Sequence, residues 1–230
     1  MPRAAVSETL VVPFNTVPVL DDTVAAVIVE PTGAAWGALP IDADFLHGLR
    51  EATRATGTVL IFDEVITGFR CAPGGAQEVY GITPDLTTLA KILAGGLPGG
   101  AVCGRLELMD IIRFGDNAAW NRGRRIAHPG TYNGNPLSAV AGTAALKLCA
   151  DGTAQAHATR LGLVGQAFGR RHQRDFRRRM ARNSHIHRDQ TIIRKMQHQP
   201  PRIGIDPDFR LVAQALLTHE TGEAARAVAA

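Results

Sequence analysis

The sequence predicts an α/β protein built on a mostly parallel sheet with helices on both faces. Short, continuously apolar runs such as VAAVIV and TVLIF read as buried strands, because a strand covered on both sides has no polar face. Segments of helical period alternate with them, as crossover connections require. One apolar run, LIFDEVITGFR (60–70), stops on two adjacent carboxylates, Asp63 and Glu64. In such sheets ligands sit beyond the carboxyl ends of the strands, and the acid pair stands at such an end.

Taken in order, TLVVPF (9–14) and VAAVIVEP (24–31) are expected strands, the second stopped by Glu30-Pro31. DADFLHGLREATRATG (42–57) is an expected helix. It has an acidic first turn, apolar Phe45, Leu46 and Leu49 at helical spacing, and Gly57 placed to cap its end. TVLIFDEV, PDLTTLAKI and GAVCG read as three further strands. NPLSAVAGTAALKLCADG (135–152) reads as a helix with Pro136 at a tolerated early position and Gly152 beyond its end. DPDFRLVAQALLTHE (206–220) has helical character as well. The expected division is a large domain over 1–150 and a divergent C-terminal part over 151–230.

Composition narrows the classes of function. The 230 residues are 45% hydrophobic, enough for a sizeable core, and carry 24 glycines. Three widely spaced cysteines, Cys71, Cys103 and Cys149, form no CxxC pair and suggest a reducing compartment rather than a disulfide framework or zinc site. The start, MPRAAVSETLVVPF, lacks the apolar stretch of a signal peptide, and no run is long enough to span a bilayer. A cytoplasmic protein with no membrane contact is expected.

The pI near 9.3 belongs to one segment. Residues 170–202 hold ten arginines and one lysine against Asp175 and Asp189, which is +9; the whole chain is +4, so the remainder carries −5. The segment has one aromatic, Phe176, so base stacking has little to work with and a nucleic-acid partner is not expected. His172, His185, His187 and His198 lack converging acids, so a metal site is not expected either. A solvated or disordered run is the simpler expectation. GGLPGG (95–100) lacks the Lys-Ser/Thr of a phosphate loop, and its glycines fit a close backbone approach to a ligand.

Only three lysines occur, Lys91, Lys147 and Lys195, against 22 arginines. Lys91 lies between TLA and ILAGGLPGGA. An apolar, glycine-rich setting favours the neutral amine, a nucleophile toward carbonyls. By itself such a lysine is more often one whose ammonium reaches water past an apolar stem. By itself an acid after LIF is more often an ordinary strand-end cap or a metal ligand, but a carboxylate at a strand end can also hold a pyridine nitrogen protonated, and Asp63 thereby changes the balance. The acid and the lysine, on successive strand ends, suggest two ends of one cofactor.

The stretches AAVIVEP (25–31), FLHGLREATRATGTVLIFDEVITGFR (45–70), GGAQEVYGITPDLTTLAKILAGGLPGGAVCGR (74–105) and HPGTYNGNPLSAVAGTAALKL (128–148) carry a resemblance. Together they resemble the class III pyridoxal-phosphate-dependent aminotransferases, most closely the glutamate-1-semialdehyde aminomutase-like branch. The resemblance implies the fold-type I large domain and pyridoxal 5'-phosphate as cofactor. It implies amino-group transfer on a small amino, keto or semialdehyde substrate through a Lys91 Schiff base. Asp63 matches the partner of the pyridine nitrogen and Val65 the apolar residue against one ring face. Thr131 matches the threonine that binds the cofactor phosphate, donated in this family by the other subunit of a homodimer. Glu64 matches no role. The resemblance also implies a longer chain, whose earlier part supplies a phosphate-binding turn and a ring-stacking aromatic that have no counterpart here. Weak cofactor binding is therefore expected, and the alternative reading is a truncated, non-catalytic pseudoenzyme that keeps the dimerisation surface.

The resemblance fades after Leu148 and resumes near Ile205, with the arginine-rich run between. Such a foreign stretch between matching flanks is the pattern of a local shift of reading frame in a GC-rich gene. Translating the coding nucleotides of 170–202 in the other two frames is expected to give a more apolar sequence like the family's C-terminal domain. If neither frame does so, and the segment resists proteolysis, a genuine folded insertion is the better account.

Overall fold

The computed structural model describes residues 9–32, 41–161, 189–194 and 211–212. Seven strands form one sheet in the order β1-β6-β2-β3-β4-β5-β7. They are β1 (Thr9–Pro13), β2 (Val24–Val29), β3 (Val59–Asp63), β4 (Leu86–Ala90), β5 (Gly100–Arg105), β6 (Asp189–Arg194) and β7 (Leu211–Val212). The sheet is mixed. Its centre, β2-β3-β4, is parallel, as the apolar runs suggested, while β5, β6 and β1 join through antiparallel pairings and β7 does the same at β5.

Helix α1 (Ala43–Thr56) is the crossover between β2 and β3. Phe45, Leu46 and Leu49 are buried on one of its faces, and it ends at Gly57, whose φ of 70° is the left-handed cap position. These side chains join Val24, Val27, Val29, Leu60, Phe62 and Ile82 in the main core. Burial along β3 alternates: Leu60 and Phe62 are enclosed, whereas Val59, Ile61 and Asp63 on the opposite face are half-buried. The strand is thus less evenly enclosed than its unbroken apolar run suggested.

Four further helices are short or follow the sheet. These are α2 (Gly75–Tyr80), α3 (Leu106–Met109), α4 (Ala118–Gly123) and α5 (Pro136–Cys149), and residues 153–161 are also helical. Helix α5 begins as expected, with Pro136 in its first turn and the Asn135 side chain accepting from the N–H groups of Leu137 and Ser138. Strand β6 lies inside the arginine-rich run and pairs with both β1 and β2. The rest of 170–202 lies outside the described residues. The helix expected over 206–220 is not found at Leu211–Val212, which pair antiparallel with Arg105 and Gly104. The open ladder of β5 offers hydrogen bonds that override a weak local helical period. The remainder of 206–220 also lies outside the described residues.

The amino-terminal ends of β3 and β4 are locked by Asp85, a residue without a sequence-level signal. Its carboxylate accepts from the Leu60 N–H at 2.8 Å, Arg50 at 2.9 Å and Arg105 at 2.8 Å. Burial pushes the Asp85 carboxyl up, but the bond from Leu60 and those from Arg105 and Arg50 outweigh it and hold it below its ordinary value. A carboxyl lowered by folding adds stability above its ordinary value, and that contribution is lost as pH falls through the lower folded one. Asp85→Asn leaves the Arg50 charge buried and uncompensated. It is expected to cost about 3–5 kcal/mol in urea unfolding at neutral pH and to flatten the acid limb of the stability profile. A loss below about 1 kcal/mol would fit an exposed pair, not this one.

Candidate active site

Strand pairing places the predicted site residues. In the parallel β3–β4 ladder Asp63 lies opposite Thr88, and the Glu64 N–H donates to the Thr88 carbonyl at 3.0 Å. Lys91 follows three residues later, directly after the last residue of β4. Glu30 follows β2, whose Val29 pairs with Phe62, so Glu30, Asp63 and Lys91 gather at the carboxyl ends of the three central strands. Their proximity is electrostatic as well. The Glu30 carboxyl is pushed up by desolvation and by the Asp63 charge, with Lys91 opposing both.

Asp63 is held on one side and open on the other. Its Oδ1 accepts from the Thr88 hydroxyl at 3.1 Å and from the Val65 N–H at 3.1 Å. Its Oδ2 accepts no hydrogen bond among the described residues. The first contact ties the carboxylate to β4; the second fixes the backbone turn that presents Val65. A half-buried carboxylate with one anchored oxygen and one unclaimed oxygen suits a ligand N–H.

Lys91 has a φ of 53°, the left-handed region that is uncommon for a residue with a β-carbon. It opens a 3₁₀ turn, Lys91–Ala94, closed by the Gly95 N–H donating to the Ile92 carbonyl at 3.0 Å. Among the described residues Lys91 is exposed rather than enclosed by its apolar neighbours: it lies one residue beyond the carboxyl end of β4. It makes no ion pair among the described residues.

The turn after Lys91 is braced by α5 through direct backbone contact. A β-carbon on Gly142 would collide with the Leu93 carbonyl oxygen, and one on Gly95 with the Ala141 carbonyl oxygen. The Ser138 hydroxyl donates to the Pro98 carbonyl at 2.7 Å. A cavity of about 350 Å³ lies beside this contact, lined by Leu93, Gly100, Tyr132, Asn135 and Ser138 among others. Thr131 stands at the start of the exposed 131–134 turn before α5. It forms no side-chain hydrogen bond to Asp63, Val65 or Lys91. Of the four predicted residues, then, the chain itself gathers three and leaves Thr131 on a separate turn.

Sequence reasoning assigned nothing to Glu64. Its side chain is 1% exposed and fully engaged: it accepts from the Thr67 hydroxyl at 3.0 Å, the Ala76 N–H at 2.6 Å and the Gln77 amide at 3.0 Å. A trace of this was present in Gly74-Gly75, since Gly75 has a φ of 72° and its β-carbon would run into the Glu64 carboxylate.

The class-III aminotransferase family model matches residues 5–168, and the chain belongs to that family. The enzymes of this family depend on pyridoxal phosphate. The chain is 46% identical over 154 residues to glutamate-1-semialdehyde 2,1-aminomutase 2 of Brevibacillus brevis, covering 64% of this chain and 34% of the relative. It is 49% identical over 148 residues to the glutamate-1-semialdehyde 2,1-aminomutase of Thermomicrobium roseum, covering 61% and 33%. Among solved structures, a transaminase with PLP bound superposes with a TM-score of 0.55 at 35% identity, over 64% of this chain and 35% of that one. The ornithine aminotransferase of Toxoplasma gondii gives a TM-score of 0.53 at 31% identity, over 66% and 34%. The chain thus spans about a third of the length of the relatives it matches. No helix among the described residues is long and apolar enough to cross a membrane.

The brace on the turn after Lys91 can be tested without a ligand. Gly142→Ala gains about 1 kcal/mol of helix propensity but drives a β-carbon into the Leu93 carbonyl, an overpacking worth about 1–3 kcal/mol. A net loss of stability in urea unfolding is expected. Gly123→Ala, where an added β-carbon meets nothing within 4 Å, should shift stability by no more than about 0.5 kcal/mol. Equal behaviour of the two variants would show that α5 has room to move.

Proposed function

We propose that this chain carries the cofactor-binding centre of a pyridoxal-phosphate-dependent amino-transfer enzyme, an aminotransferase or a glutamate-1-semialdehyde aminomutase-like enzyme. It acts on a small amino, keto or semialdehyde substrate, in the cytoplasm and as a homodimer. The supporting observation is the pairing of Asp63 and Lys91 at adjacent strand ends: a carboxylate with one oxygen anchored to β4 and the other unclaimed, beside the strand that the lysine directly follows. Family membership and the likeness to aminomutases support the reaction class.

The residues present suit the cofactor. Asp63 Oδ2 would accept the ring N–H and keep that nitrogen protonated, while Oδ1 stays anchored to Thr88 and Val65. Val65, fixed through its N–H, would pack against one ring face. Lys91 Nζ is the amine that would hold the cofactor through its carbonyl carbon and, when free, the base that would take up and return a proton at the substrate carbon. Thr131 would reach the phosphate of the partner's site across the dimer. When bound there, pyridoxal phosphate supplies the electron sink that makes loss of that proton accessible.

Incubation with pyridoxal phosphate, borohydride reduction and peptide mass mapping test the reading. The adduct is expected on Lys91. An adduct on Lys147 or Lys195 with none on Lys91 would overturn it. Asp63→Asn should still be labelled at Lys91, yet lower amino transfer about 100-fold or more, equivalent to roughly 3 kcal/mol of barrier. Unchanged turnover in an active preparation would refute the role of Asp63.

A further inference from the structure

We propose that Glu64 is a positioning residue for the candidate site: it fixes the separation of the strand ends that bear Asp63 and Lys91. The inference rests on the reading in which those two residues serve one cofactor. Successive residues of an extended chain point to opposite faces, so the acid pair divides its tasks. Asp63 turns toward the open edge and bonds Thr88. Glu64 turns to the other face and is buried.

There it gathers three donors from the chain that follows Val65. The Thr67 hydroxyl and the Ala76 N–H share Oε2, and the Gln77 amide takes Oε1. That same Gln77 nitrogen also donates to the Thr87 hydroxyl at 3.1 Å. Thr87 precedes Thr88 on β4. The end of β3 is therefore tied to β4 twice, through Asp63–Thr88 on one face and through Glu64–Gln77–Thr87 on the other. Two ties on opposite faces prevent the strand ends from rotating about either one. Glu64 also anchors both ends of the loop whose first residue is Val65. Charge-assisted hydrogen bonds of this kind are about twice as strong as neutral ones, so the carboxylate is a stiffer fastening than an amide in its place.

Amide hydrogen exchange on the full chain, without cofactor, reads this directly. In Glu64→Gln the N–H groups of Val65 and residue 64, which bond Asp63 and Thr88, should exchange about tenfold faster, the loss of roughly one charged hydrogen bond. Those of Val27 and Leu60 in the core should stay within about twofold, since exchange there follows global opening. Gln77→Leu, which removes the bridge from Glu64 Oε1 to Thr87 and leaves Thr67 and Ala76 on Oε2, is the second variant should the first fail to fold, and the same localised acceleration is expected. Combining Glu64→Gln with Gln77→Glu restores a carboxylate–amide pair beside Thr87 and should recover protection. Exchange unchanged at Val65 and residue 64, or faster everywhere alike, would overturn the proposal. With pyridoxal phosphate and borohydride, Glu64→Gln should reduce trapping on Lys91 about tenfold relative to the unsubstituted chain. An unsubstituted chain that traps none on Lys91 counts against the functional reading alone, and exchange at Val65 still decides the role of Glu64.

Discussion

The parallel pairing of β3 with β4 spans only three residue pairs, Ile61↔Leu86 to Asp63↔Thr88, yet it sets where the carboxylate and the lysine of the candidate site stand. A ladder this short is held mainly at its ends. At the amino end Asp85 exchanges hydrogen bonds with the Leu60 backbone, Asp85 N–H to the Leu60 carbonyl at 2.9 Å and Leu60 N–H to the Asp85 carboxylate at 2.8 Å. Its carboxylate also binds Arg50 from α1 and Arg105 from β5, so one residue joins four elements. At the carboxyl end Asp63 and Glu64 fasten opposite faces. Buried carboxylates are costly unless every lone pair is used, and here the cost is offset by donors drawn from neighbouring strands and turns.

The division of labour at the carboxyl end explains why an apolar strand closes on two acids. A single carboxylate that served both as fastening and as ligand partner would have to give up one set of donors to gain the other. With Glu64 committed to Thr67, Ala76 and Gln77, Asp63 needs only Oδ1 for the fold. Its second oxygen remains available at the edge.

Much of this was legible in the sequence because it is written in local pattern. The apolar runs of β2 and β3, the amphipathic face of α1 with Gly57 behind it, and Asn135-Pro136 at the start of α5 each signal themselves within a few residues. Asp63 and Lys91 stood out through scarcity and setting. What stayed hidden depends on contacts between distant positions. Glu64 finds its donors at Thr67, Ala76 and Gln77, one of them a backbone N–H that no side-chain pattern reveals. Asp85 meets Arg50 and Arg105 from 35 and 20 residues away. Of the two settings open to Lys91 in the sequence, an apolar enclosure or an ammonium that reaches water, the described residues leave it exposed, since apolar neighbours in sequence need not be neighbours in space. At Leu211–Val212 the vacant ladder of β5 decided the outcome against a helical period.

Lys91 itself sits in a backbone conformation that costs a residue with a β-carbon about 1–2 kcal/mol. Such strain persists only where the surroundings over-determine it, and the surroundings here are unusually hard. The turn that follows is pressed against α5 with no side chain between, at Gly142 on the Leu93 carbonyl and Gly95 on the Ala141 carbonyl. Side chains yield by changing rotamer; two backbones in contact cannot. This accounts for the composition of α5, in which the inward positions are small, with Ala139 and Gly142 buried, while Leu137, Val140 and Leu148 point outward and are exposed. Closeness to the lysine turn is obtained by giving up large apolar residues on the packed face. The packed face of α5 is therefore set by its backbone contact with the turn that follows Lys91, and substitutions there should act on residues 93–95 before they act on the main core.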